Sequence, residues 1–283
     1  MSEPELPKLL YLSSVPVESS YHGSALLYRL LCDYPRDRLL VVESSDYLSK
    51  PGRRIPGVRY AAVHGGIERL TRTRFATLYS SFRFLRAASW RKGIEDVLQS
   101  FTPEAVLTVS HGHVWVTAAA FAKHRHLPLH LVNHDEITQT VMHPPILRAR
   151  VERTFGEVYR SAASRLCVSP YMRDDYRRRF GVEAAVLYPS RAADVPIFNA
   201  PPPQLAGRNC GLRVAFAGTI NTGGHVDLLC SLAQALQSQD GKLLLYGPIT
   251  PASAQSNGLC APNVELRGML PSGQLITTLR DEA

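Results

Sequence analysis

The segment from Leu212 to Pro248, LRVAFAGTINTGGHVDLLCSLAQALQSQDGKLLLYGP, narrows the choice of fold more than any other part of the chain. Leu212 to Ala217 is a short apolar run of the kind that forms a strand buried on both faces. Gly218 to Gly224 is a small, polar, glycine-bearing loop. From Val226 onward, Leu228, Leu229, Leu232, Ala233 and Leu236 recur at helical spacing, and Gly241 marks the end. Lys242 to Tyr246 is a second apolar run. Strand, loop, helix and strand in that order make a parallel crossover, whose right-handed form puts the loop at the carboxyl edge of the sheet. Unpaired N–H groups and the helix dipole favour anions there, by ~0.3–1 kcal/mol per charge. An ordinary βα turn, with glycines for steric reasons, is still the preferred reading of such a loop taken alone.

The same alternation runs through the rest of the chain. Strands are predicted at Leu9–Ser13, Leu39–Glu43, Gly57–Val63, Ala105–Ser110, Leu129–Val132, Arg165–Ser169, Ala185–Tyr188 and Asn263–Leu266. Helices are predicted after Ser24, with Leu26, Leu27, Leu30 and Leu31 facing inward, then at Trp115–His124, Pro145–Ser161 and Tyr171–Phe180, the last closed by Gly181. Ser24 and Ser169 are the candidate caps. Strands alternating with helices throughout argue for an α/β doubly wound architecture. Residues 196–210 interrupt the pattern with Pro201, Pro202 and Pro203 and show no periodicity, which marks a linker. The expected organisation is therefore a Rossmann-like domain over residues 1–195, a proline-rich linker over 196–210 and a second Rossmann-like domain over 211–283.

The 283 residues, 45% hydrophobic and 20% charged, suffice for two real cores, and no apolar run is long enough to span a bilayer. Acidic residues at the start run at once into a strand, unlike a signal peptide. Five scattered cysteines read as reduced core thiols, so a cytoplasmic location is expected. The net charge of +8 is partly local: Arg69, Arg72, Arg74, Arg83, Arg86, Arg91 and Lys92 interleave with Leu70, Phe75, Leu78, Tyr79, Phe82, Phe84, Leu85 and Trp90. Residues 68–92 thus suit peripheral contact with the inner face of an anionic membrane, a phosphate-rich ligand nearby, or simply a solvated basic helix face. No nucleic-acid recognition motif accompanies the charge.

Four stretches, in order, resemble glycosyltransferases of the GT-B fold, in particular the group known as family 4 or group 1. They are Leu10–Leu31, Leu166–Ser190 (LCVSPYMRDDYRRRFGVEAAVLYPS), Leu212–Pro248 and Asn263–Ala283 (NVELRGMLPSGQLITTLRDEA). The resemblance implies a hexosyltransferase, retaining, that moves a sugar from a nucleotide-sugar donor to a polysaccharide or lipid-linked acceptor, such as a cell-envelope polysaccharide. It implies acceptor binding on the first domain, donor binding on the second, chemistry in the cleft, and no cofactor or metal beyond the nucleotide-sugar co-substrate. Gly23 and Ser24 map onto the family's first loop, where a small residue lets backbone approach sugar or phosphate. His111 or His113 maps onto its histidine near the donor sugar. Gly218 and Thr219, with Asn221, Gly223 and Gly224, map onto the donor-side phosphate loop. Apart from the resemblance, His134 and Asp135 are candidate acceptor- or donor-loop residues, with Asp135 and Glu136 equally suited to lining the cleft or capping the following segment.

Two departures stand out. Thr219 to Asp227 carries no Lys or Arg where the family usually has both, which leaves backbone N–H groups or a distant arginine such as Arg267 to meet the diphosphate. The family's pair of glutamates seven residues apart is also missing, so the second domain is expected to be incomplete, with activity of this chain left open. A rival reading starts from histidine, seven of whose ten copies lie between His111 and His143. His111, His113, His134 and Asp135 could serve a metal-dependent hydrolase. A non-catalytic binding remnant is the other alternative.

Overall fold

The computed structural model describes all residues except 1–4, 20–21, 46–47, 64–69, 71–72, 138–143, 190–210, 221–222 and 283. The chain divides into two compact units, Met1–Ala192 and Ala193–Ala283. The expected linker over 196–210 lies outside the described residues.

Among the described residues the first unit is built on seven parallel strands: β1 (Leu9–Ser13), β2 (Leu39–Ser44), β3 (Arg59–Val63), β4 (Ala105–Val109), β5 (Leu129–Asn133), β6 (Ser164–Cys167) and β7 (Ala185–Val186). Their order across the sheet is β3-β2-β1-β4-β5-β6-β7, with Leu10 opposite Leu40 on one side and Val106 on the other. Alternate residues of one strand feed two separate cores. Leu9 and Tyr11 pack with Leu27, Leu31, Leu39 and Leu107, while Leu10 and Leu12 pack with Ile94, Val106, Ala118 and Phe121. Both faces are covered, which is why these strands read as unbroken apolar runs.

The helices of this unit are α1 (His22–Leu31), α2 (Ala76–Ala87), α3 (Lys92–Leu98), α4 (Val114–Arg125), α5 (Pro145–Ser161) and α6 (Pro170–Phe180). Helix α1 starts two residues before Ser24, so that serine sits inside the first turn and is not the cap; Leu30 faces solvent rather than the core. Ser169 does cap α6, its Oγ accepting from the Met172 N–H at 3.1 Å, and Gly181 closes the same helix in the left-handed region. A third core gathers Phe155, Tyr159, Tyr176 and Phe180 edge-to-face between α5 and α6, with Trp115 of α4 against Phe155.

The second unit carries β8 (Arg213–Ala217), α7 (Gly223–Gln237), β9 (Lys242–Tyr246), α8 (Pro251–Ser256), β10 (Val264–Gly268) and α9 (Ser272–Glu282). Its parallel sheet runs β10-β9-β8 and has three strands among the described residues. Leu229, Ala233 and Leu236 of α7 pack on Leu243 and Leu245. Helix α7 ends at Gln237, four residues before Gly241. The N–H of that glycine donates to the Leu236 carbonyl in the last turn of α7 at 2.7 Å. A Cβ there would come within 2.7 Å of the Leu212 carbonyl and 3.1 Å of the Leu236 carbonyl, so the glycine serves both the helix end and the close packing of β8. Among the described residues no helix is long and apolar enough to cross a membrane.

Candidate functional site

The strand order of the first sheet reverses between β1 and β4, the switch point beside which folds of this kind bind ligands. The β4 loop crosses that point as Ser110-His111-Gly112-His113. Gly112 has φ +62°, and a Cβ on it would lie 2.7 Å from Ser14 Oγ in the β1 loop. Any larger residue would be strained and would push the two loops apart. The Trp115 indole N–H donates to the Gly112 carbonyl at 3.0 Å and fixes the turn from below. The β1 loop is held from the other side by Glu43 at the end of β2. Its buried carboxylate accepts from the Val17 N–H, the Ser49 N–H and the Ser49 hydroxyl, at 2.9, 2.9 and 2.8 Å. Burial pushes this carboxyl up, against the pull of those three hydrogen bonds.

His111, His134 and Asp135 meet at this edge. His111 Nδ1 donates to Asp135 Oδ2 at 3.2 Å, His134 Nε2 stands 3.7 Å from the same oxygen, and the two imidazoles meet edge-on at 5.9 Å. Because an ionised carboxylate only accepts, this contact selects the Nδ1–H form of neutral His111 and leaves its Nε2 as an acceptor. The hydrogen bond from His111 holds the Asp135 carboxyl below the usual carboxylate range. Burial pushes His134 down, Asp135 acts against that, and His111 adds to it. Its ring also lies against the first turn of α1, whose dipole opposes a positive charge.

Gly23 owes its smallness to this ring. A Cβ on Gly23 would come within 2.4 Å of His134 Cε1, so the room beside its backbone, expected to take a sugar or phosphate, is filled by an imidazole. Gly23 and Ser24 belong to the first turn of α1 and not to the loop before it. His113 also departs from expectation. It is 4% exposed, its Nε2 lies 3.2 Å from Ser80 Oγ, and its ring packs on Phe84 of α2, away from His111. The four-residue metal cluster proposed from sequence therefore reduces to His111, His134 and Asp135, whose candidate ligand atoms lie within 4.8 Å of one another. Glu136, next to Asp135, is taken up by Arg179 of α6 at 3.0 and 3.3 Å, alongside Glu152 and Asp175, so it anchors the loop.

A linked expectation concerns stability. His134 binds its proton less readily when folded than when unfolded, so unfolding takes up a proton below its ordinary value of 6.5. Wild-type stability should therefore fall as pH drops through and below 6.5, where Asp135 is still ionised, and the slope should flatten in His134→Gln. Thermal unfolding at stepped pH measures both curves, and parallel curves would contradict the assignment.

In the second unit, Gly218 and Thr219 follow β8, and Gly223 and Gly224 open α7 with exposed backbone; Asn221 lies outside the described residues. Sequence reasoning missed two partners of Gly218. Gly247 and Gly268 stand at the carboxyl ends of β9 and β10, joined by hydrogen bonds from Gly218 N–H to Tyr246 O and from Gly247 N–H to Gly268 O, both 2.9 Å. A Cβ on Gly247 would lie 2.1 Å from the Gly218 carbonyl oxygen. A glycine immediately after the predicted strand Lys242–Tyr246, and another two residues past Asn263–Leu266, were the signals that could have found them. Arg267, suggested as a stand-in for the missing loop cations, is instead paired with Glu265 at 3.0 Å and Glu282 at 3.3 Å.

The sequence profile of the family described as Glycosyltransferase Family 4 matches residues 47–190, just over half of the chain, and so spans His111, His134 and Asp135. No curated protein sequence matches. Among solved structures, CalG4, the calicheamicin glycosyltransferase, is similar with TM-score 0.52 and 13% identity over 92% of this chain and 70% of that one. A putative UDP-N-acetylglucosamine 2-epimerase from Listeria monocytogenes gives 0.52 and 10% over 95% and 71%. An apo structure of OtsA gives 0.54 and 10% over 97% and 76%. At such identities the likeness is one of fold, and it includes both a transferase and an epimerase.

Proposed function

Because the chain belongs to Glycosyltransferase Family 4 and has that family's GT-B type of fold, two Rossmann-like units with the second incomplete beside its structural relatives, we propose that it is a retaining hexosyltransferase. It moves a sugar from a nucleotide-sugar to a polysaccharide or lipid-linked acceptor. The bond from the anomeric carbon to the diphosphate oxygen breaks, and the leaving group takes the electron pair. A bond to the acceptor oxygen forms on the same face of the sugar, and the acceptor hydroxyl's proton passes to the departing diphosphate oxygen. The diphosphate is received at the carboxyl edge of the second sheet, by Gly218, Thr219, Asn221, Gly223, Gly224 and the amino terminus of α7, without a metal ion.

The observation that supports this reading is the His111–Asp135 contact at the switch point of the first sheet. Asp135 orients the imidazole so that Nε2 can accept from a hydroxyl of the donor sugar as positive charge develops at the anomeric centre. The acceptor is placed by the first unit, with Ser24 of α1, His134 and Asp135 around it and Gly23 making room for the His134 ring. The family favours transfer over the epimerase chemistry that the same fold also supports.

The test incubates the chain with uridine, guanosine, adenosine and thymidine diphosphate hexoses and a panel of polysaccharide and lipid-linked acceptors, with chelator present, and follows nucleoside diphosphate release by chromatography. Release from one donor, with the product's anomeric configuration unchanged by NMR, is the expected result. No release from any donor, together with zinc-dependent hydrolysis of ester substrates, would instead favour the metal reading of His111, His134 and Asp135.

A further inference from the structure

From α2 and its surroundings we infer that the first unit carries a binding surface for an anionic phospholipid bilayer. Around this helix, Phe75, Leu78, Phe82 and Leu85 are 51%, 70%, 56% and 51% exposed. Their spacing of three, four and three places them in one row along the helix, so they form a ridge and not scattered apolar residues. The opposite side of α2 is committed to the fold: Ser80, Arg83, Phe84 and Ala87 are buried. Arg83 is thus not part of the surface charge that the sequence suggested, and Arg69 and Arg72 lie outside the described residues.

Charge selects the occupant. Arg74 and Arg86 are exposed and fall at the two edges of the ridge, and Lys92 is exposed one turn beyond the helix. None of these three makes an ion pair among the described residues, and the sequence holds no acidic residue from Arg69 to Ile94. Apolar side chains bordered by guanidiniums on a convex helix match the layering of acyl chains beneath phosphate headgroups. A second copy of this chain, itself basic, would bring like charges together along the same ridge.

The surface is tied to the site. Ser80 and Phe84 of α2 hold His113, two residues from His111, and Thr117 Oγ1 of α4 donates to the Ala87 carbonyl at 2.8 Å. A bilayer seated on α2 is therefore one helix removed from the loop that carries His111, the side on which a lipid-linked acceptor would arrive. That purpose rests on the transfer reading above, whereas the binding itself does not.

Co-sedimentation of the full chain with phosphatidylcholine vesicles containing phosphatidylglycerol, against phosphatidylcholine alone, provides the test, with no nucleotide-sugar present. Wild type should pellet with the anionic vesicles and be released by salt. Leu78→Glu with Phe82→Glu should weaken partitioning roughly tenfold or more, since two buried apolar contacts become charges in the interface. Arg74→Ser with Arg86→Ser should weaken it several-fold and flatten the salt dependence. Leu228→Glu, at a comparably exposed leucine of α7, should leave it unchanged. Circular dichroism confirms that each variant is folded, and Leu78→Ala with Phe82→Ala repeats the test without added charge. Equal pelleting of the ridge variants and wild type would overturn the inference. So would failure of wild type to pellet, or a lipid-free dimer that the ridge substitutions make monomeric. Vesicle binding without nucleotide release would remove the transfer reading and leave this one standing.

Discussion

His111→Ala should lower nucleoside diphosphate release by roughly 10²–10³-fold, the scale seen when one donor or acceptor aimed at a developing charge is removed. The imidazole is more than a third exposed and bonds to Asp135 at the edge of the sheet, not in a core, so the variant should melt close to wild type. Asp135→Asn separates orientation from chemistry. Its amide can still meet His111 Nδ1, but it can donate and so favours the opposite tautomer, leaving Nε2 protonated where an acceptor is needed. Turnover should fall less than in His111→Ala, and mainly in kcat. Steady-state assays of both variants, with melting curves alongside, measure this. A folded His111→Ala that turns over within a few-fold of wild type would remove the residue from the mechanism.

The second large effect is expected at Gly247. Valine there would drive its Cβ to 2.1 Å from the carbonyl oxygen of Gly218, and a backbone atom cannot swing aside as a side-chain tip can. Either the link between β8 and β9 opens, losing the hydrogen bond from Gly218 N–H to Tyr246 O, or the loop after β8 shifts bodily. Overpacking of this kind costs about 1–3 kcal/mol. Because the displaced atoms are those expected to meet the diphosphate, donor turnover should fall further than stability does. Gly93→Ala in α3 is the control, since its Cβ would enter open space and add helix propensity. A Gly247→Val protein with wild-type melting and turnover would show that the edge is looser than its geometry indicates.

Much of the fold was legible because its signals are local. The strands Leu9–Ser13 and Lys242–Tyr246 and the helix Pro145–Ser161 coincide with the residues predicted, since Pro, Gly and abrupt changes of periodicity bracket each one. Helix α8 went unnoticed because six residues, Pro251–Ser256, are too few to display a period. The site was only half legible. His111, His134 and Asp135 were all singled out, but their meeting depends on β4 and β5 being neighbours, which no local pattern encodes. His113 looked equivalent to His111 from spacing alone. A positive φ at Gly112 sends the chain round, and the two histidines part company. Gly23 was recognised as small, but the imidazole that needs the room comes from more than a hundred residues away.

The fastening of Asp135 has a further consequence. Glu136 is clasped by Arg179, the Ile137 N–H reaches the Tyr176 hydroxyl at 3.4 Å, and the Val168 N–H donates to the Asn133 carbonyl at 3.1 Å. Residues 133–137 are thereby fastened to α6 and β6, so a sugar bound there as proposed would leave little chain entropy to be surrendered. A preorganised wall of this kind lets ligand affinity reflect contacts formed rather than disorder quenched. Selectivity among hydroxyl stereoisomers then follows from rigid geometry instead of adaptation.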